Sequence, residues 1–137
     1  MSSEQNKVLI ERCYRAFGDG DLQLLDEAAA PDYAYHDPGN PSIHTWTEHR
    51  AQLSALYRSM SELRFDIDEL VAEDDRVAVR WTMRGTVLGS LMGVSAPGRR
   101  IEMTGHSMYR LARGKVAVAY SLSDLLGLKK QLQGDTI

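Results

Sequence analysis

A chain of 137 residues has the length of one domain and can bury about two thirds of its unfolded surface around a single core. Its 43% hydrophobic and 26% charged residues, net charge of −3 and scattered arginines exclude a disordered segment and a basic nucleic-acid surface, and no apolar run reaches the length of a membrane span. A lone cysteine, Cys13, excludes an internal disulfide and a cysteine-built zinc site.

The N-terminal stretch MSSEQNKVLIERCYRAF mixes charge with hydrophobe and has no signal-peptide run, so the cytoplasm is the expected location. Over residues 4–17, Val8, Leu9, Cys13, Ala16 and Phe17 recur at spacings of three and four, which predicts an amphipathic helix ended by Gly18 and Gly20. Asp21 can cap a second short helix, Leu22 to Ala30, stopped by Pro31. Thr47, with Glu48 in the first turn, opens a third helix that runs to about Met60 with Leu53, Leu56 and Tyr57 on its inner side.

From Leu63 the period changes to two. Leu63, Phe65 and Ile67 alternate with charged residues until the pattern slips at Leu70, which predicts a bulge near Asp68 and Glu69. After a turn at Asp74 and Asp75, Val77, Val79, Trp81 and Met83 share one face of a long strand, with Arg80, Thr82 and Arg84 on the other. Residues 88–99 read as a loop. In the next strand Ile101, Met103, Ser107 and Tyr109 oppose Glu102, Thr104, His106 and Arg110.

Arg113 and Gly114 supply a two-residue hairpin turn, so Ala112 faces Lys115 and an unbroken register pairs Ser107 with Tyr120 and Met103 with Asp124. The last segment, DLLGLKKQL, can start a helix at Asp124. Three helices followed by an antiparallel meander predict a single α+β domain over residues 1–137, with the helices covering one face of a curved sheet. The opposite face, carrying Arg80, Arg84, Glu102, His106 and Arg110, is either solvated or a mixed polar dimer interface, and a homodimer is the favoured state.

The unbroken register points Asp124 at the apolar face. A carboxylate there has its charged form disfavoured by desolvation, which suits it to take and return a proton near neutral pH; the plainer reading is a helix cap, and the two are compatible. His36, in PDYAYHDP, is a candidate for the pocket mouth. His106 should point away from the pocket. The four histidines show no metal-ligand spacing, and there is no phosphate loop or nucleophile elbow. Trp81, Met83, Met103, Ser107, Tyr120 and Tyr35 are the candidate lining of a pocket between sheet and helices.

The segments PDYAYHDP (31–38), LRFDIDELVAEDDRVAVRWTMRGT (63–86), GSLMGVSAPGRRIEMTG (89–105) and GKVAVAYSLSDLLGLKKQL (114–132), in this order, give the chain its resemblance to the SnoaL-like polyketide cyclases of the nuclear transport factor two-like fold. The resemblance implies a cone-shaped, usually oligomeric domain that closes a polyketide ring by aldol condensation without metal or cofactor. It places the proton-carrying aspartate on Asp124. Where family members commonly carry further polar residues, this chain has Val87, Val118 and Ser107. The implied function is acid/base catalysis of an aldol-type cyclisation or related proton transfer on a small apolar or aromatic, polyketide-like molecule. The alternatives are a non-catalytic binding or dimerisation module, or an epoxide hydrolase, dehydratase or isomerase in which His36 would face Asp124.

Overall fold

The computed structural model describes residues 2–134. Helix α1 spans Ser3–Asp19; Ser2 and Gln5 close a reciprocal capping box at its start, and Gly20, at φ 72°, ends it in the left-handed conformation that glycine adopts without a Cβ clash. Asp21 caps α2, Leu22–Ala28, by accepting from the Leu24 N–H. The chain then enters a strand before the third helix: β1 covers Ala29–His36. Pro31 does not exclude it from the sheet, because β1 is an edge strand whose pairing is interrupted between Ala29 and Ala34.

Helix α3 spans Trp46–Ser59, two residues earlier than the sequence suggested, because the cap is Thr45 rather than Thr47. Glu48 lies three residues after Thr45 and returns a bond to its N–H, so the capping box fixes the start. Four long strands follow: β2, Met60–Glu73; β3, Arg76–Val87; β6, Arg100–Ala112; and β7, Lys115–Ser123. Between β3 and β6 lies a two-residue hairpin, β4 (Ser90–Leu91) and β5 (Val94–Ser95). Helix α4, Leu125–Leu132, closes the described chain.

The sheet order is β1-β7-β6-β3-β2. The expected α+β class holds, with one refinement: β1 runs parallel to β7, so the sheet is mixed rather than wholly antiparallel. The predicted bulge is present, with Asp68 the extra residue between the pairs Ile67–Trp81 and Glu69–Arg80. Arg113 and Gly114 both take positive φ, as the tight hairpin between β6 and β7 requires. Ile10, Val77, Met83, Val87 and Leu132 are the most deeply buried large side chains, so the core lies between α1, α4 and one sheet face. The other face carries ion pairs of Arg84 with Asp66 (2.7 Å) and Glu102 (3.1 Å), and of Arg80 with Glu69 (3.2 Å). No helix among the described residues is long and apolar enough to cross a membrane.

Candidate functional site

A cavity of about 520 Å³ lies between the helices and the inner face of the sheet. Its walls are mostly apolar: Phe17 from α1, Leu56 from α3, Phe65 from β2, Met83 from β3 and Met103 from β6, with Leu91 of the β4–β5 hairpin at one end. A volume of this size holds a small organic molecule. A second hollow, of about 570 Å³, lies on the opposite face. It is a shallow groove, since Val71, Met108, Tyr120 and Leu122 within it are 46–63% exposed.

Two hydrogen-bonded polar groups open on the inner cavity, and Gln52, Ser59 and Ser90 add single polar side chains to its wall. The first begins at Asp37, placed just after β1 in the turn sequence DPGN. Its buried carboxylate accepts from the Gly39 N–H (2.9 Å), the Asn40 side-chain amide (3.1 Å) and the Tyr35 hydroxyl (3.1 Å). Of the roughly four acceptor sites on a carboxylate, about one remains free. His49 stacks on Tyr35 with ring centroids 4.0 Å apart, and its Nδ1 pairs with the Tyr33 hydroxyl at 2.9 Å. Burial pulls the His49 imidazole from its ordinary value of 6.5 down to about 4, against the opposing pull of Asp37, so the ring is neutral at physiological pH. Burial likewise keeps Tyr33 and Tyr35 protonated, with Asp37 adding to the effect on Tyr35.

The second group is a strip of hydroxyls along the sheet. The Trp81 indole N–H donates to Ser107 Oγ (2.9 Å), Ser107 pairs with Ser121 (2.8 Å), and the buried Tyr14 and Tyr109 hydroxyls meet at 2.6 Å. Gly105, opposite Trp81 in the register, makes this possible: a Cβ there would overlap the indole ring, so only glycine lets the ring lie across β6 and reach Ser107.

Of the residues the sequence nominates, Trp81, Met83, Met103, Ser107 and Tyr35 line this cavity. Tyr120, His36 and Asp124 do not. Tyr120 is exposed on the outer face, where it stacks on His36 with centroids 4.9 Å apart. Asp124 is exposed and caps α4, accepting from the Gly127 N–H at 2.9 Å, which is the plainer of its two expected roles.

One residue explains both displacements. Leu111 pairs with Val116 but Arg110 pairs with Val118, so Ala117 is an extra residue in β7, and beyond it every side chain changes face. The register becomes Ser107 with Ser121 and Met108 with Tyr120, which sends Ser121 and Ser123 inward and Tyr120 outward. His36 follows Tyr120, its partner across the β1–β7 pair. His106 lies on the outer face as expected.

Sequence reasoning missed Asp37 and His49. His49 shares a helical stripe with Leu53 and Leu56 at spacings of four and seven, which marks it as inward-facing. Asp37 heads a Pro-Gly-Asn turn that returns the chain over the cavity. Among the described residues no three His, Cys, Asp or Glu side chains gather as a metal site.

The SnoaL-like polyketide cyclase family model matches residues 7–132, and the chain belongs to that family. Solved structures agree. IdmH from Streptomyces antibioticus, whose name marks it as a candidate polyketide cyclase, is 29% identical with a TM-score of 0.83, over 93% of this chain and 97% of that one. TsrD from Streptomyces laurentii is 27% identical with a TM-score of 0.85, over 96% and 97% of the two chains. AclR from Streptomyces galilaeus, a candidate hydroxylase, shares the fold at 22% identity and a TM-score of 0.88, over 98% and 100%. No curated protein matches the chain.

Proposed function

We propose that this protein is a polyketide-cyclase-type enzyme that moves a proton on a small, largely apolar, carbonyl-bearing molecule held in the inner cavity. The observation that carries this reading is the buried Asp37 carboxylate, held by three donors beside Tyr35 and the neutral His49 and opening on a mostly apolar chamber. A hydrogen on carbon flanked by carbonyls is acidic enough for a positioned carboxylate to remove. The resulting enolate attacks a second carbonyl of the same molecule, and the carboxylic acid returns the proton to the new alkoxide. The Tyr35 phenol, fixed on Asp37, holds the carboxylate in place while its charge comes and goes.

Asp124, to which the family resemblance points, stands at the rim. Its neighbours Ser123 and Leu125 line the cavity, and Leu125 packs against Gly39 of the Asp37 turn, so both carboxylate-bearing segments meet at this end. Deuterium uptake by 2-tetralone in D2O separates the two carboxylates. Asp37→Asn should slow the catalysed exchange at least 100-fold, in the range of general acid–base contributions, while Asp124→Asn leaves it within a few-fold. Loss confined to Asp124→Asn would move the base to the rim. No acceleration by the unaltered protein would leave the non-catalytic binding module as the reading.

We also propose that the protein is a homodimer joined through the outer face. Among the described residues, half of the eight exposed large hydrophobic side chains, Val71, Met108, Tyr120 and Leu122, lie together in its groove. Sedimentation should show a dimer that Tyr120→Ser with Leu122→Ser converts to monomer without loss of fold; a monomeric unaltered protein would refute it.

A further inference from the structure

The inner cavity is mostly apolar, and its hydroxyl strip has no part in the proton transfer assigned to Asp37. Its hydrogen-bond arithmetic leaves donors over. Tyr14, Tyr109, Ser107 and Ser121 carry four O–H protons among them. The Tyr14–Tyr109 contact uses one and the Ser107–Ser121 contact another, while the Trp81 N–H fills an acceptor site on Ser107. One proton therefore remains to each pair.

The phenols are lasting donors: burial pushes Tyr109 up to about 12 and Tyr14 well above its usual value, so neither ionises in the physiological range. An apolar ligand laid over the strip would shut these groups from water and offer nothing to receive their protons. A ligand oxygen in the same place would accept them.

We infer that the strip Tyr109–Ser107–Ser121 is the specificity element of the cavity, which takes a carbonyl oxygen at the ligand's buried end and so fixes the direction in which the molecule enters. This rests on the inner cavity being the ligand site, and it adds to that reading the group that is recognised and the residues that recognise it. With its carbonyl anchored on the strip, the ligand's remaining carbon skeleton lies along Met83, Met103 and Leu56. A site built to hydrogen-bond an oxygen rejects the analogue that lacks it far more strongly than an apolar pocket rejects a change of size.

The test compares 1-tetralone with tetralin, which share a carbon skeleton and differ by the carbonyl, in titrations of the full chain followed by 15N–1H spectra. Its two tryptophans give two indole N–H signals. Trp81 reports on the strip through its bond to Ser107, and Trp46, whose indole bonds Asp26 on the exposed side, is the internal reference. The tetralone should bind at least about tenfold more tightly and move the Trp81 signal with little change at Trp46. Ser121→Ala and, independently, Tyr109→Phe should cut that preference to less than about threefold while tetralin still binds. Should Tyr109→Phe fail to fold, Ser121→Ala decides alone. Equal binding of both ligands, or an undiminished preference in Ser121→Ala, overturns the inference and leaves the cavity reading intact. Binding of neither overturns the cavity reading and the inference together.

Discussion

The two faces of the sheet are made by the same strands from alternating residues, yet they are built to different ends. On β3 and β6 the inner set, Trp81, Met83, Met103 and Ser107, encloses space, while the outer set, Arg80, Arg84, His106 and Met108, meets solvent and forms ion pairs. Between exposed side chains such pairs are screened by water and salt, so the outer face contributes little to the stability of a single chain. The inner face holds the core and the cavity. Alternation alone would make this division automatic, but β7 breaks it: one inserted residue, Ala117, moves two serines inward and the larger Tyr120 and Leu122 outward. A strand that exposes its larger apolar residues and buries its serines serves a cavity on one side and a partner on the other.

Gly105→Ala is the strongest way to break this division, at a cost of about 2 kcal/mol in chemical denaturation, because a Cβ there overlaps the Trp81 ring and forces it off its place across β6. The same variant should displace the Trp81 indole from Ser107 and change its fluorescence, whereas Met108→Ala on the outer face of the same strand should stay within about 0.5 kcal/mol.

His49 sharpens the comparison through pH. The folded state holds it neutral down to about pH 4, whereas the unfolded chain takes up its proton below about 6.5. Stability from this group is thus complete above pH 6.5 and falls as the pH drops towards 4, by about 2 kcal/mol at pH 5. His49→Gln should flatten the dependence in that window, as measured by denaturation at pH 7 and pH 5. An unchanged slope would mean that the ring is not held neutral.

Much of the architecture is legible in the residues. The helical spacing of Val8 to Phe17, the slip between Ile67 and Leu70, and the Arg113–Gly114 turn each state a local preference that the tertiary structure keeps. β1 was harder to see, because Pro31 argues for a break and only an edge position reconciles it with a strand. The site was half legible. Trp81, Met83, Met103 and Ser107 follow from parity on two regular strands. Asp124 and Tyr120 were misdirected because in VAVAYSLS both registers are locally acceptable, and the choice is made by what lies across the strand. His49 was hidden by its residue type, since a histidine on an apolar stripe reads as an interruption until its partner Tyr33 is known.

Ligand-induced stabilisation measured in two variants tests most directly that the inner face, and not the outer groove, is the ligand site. A saturating carbonyl-bearing aromatic ligand, at about 100 times its Kd, should stabilise the unaltered protein by about 2.7 kcal/mol. The account requires that gain to persist in Tyr120→Ser and to vanish in Ser121→Trp, which places an indole in the cavity. Stabilisation that survives Ser121→Trp and disappears in Tyr120→Ser would contradict it.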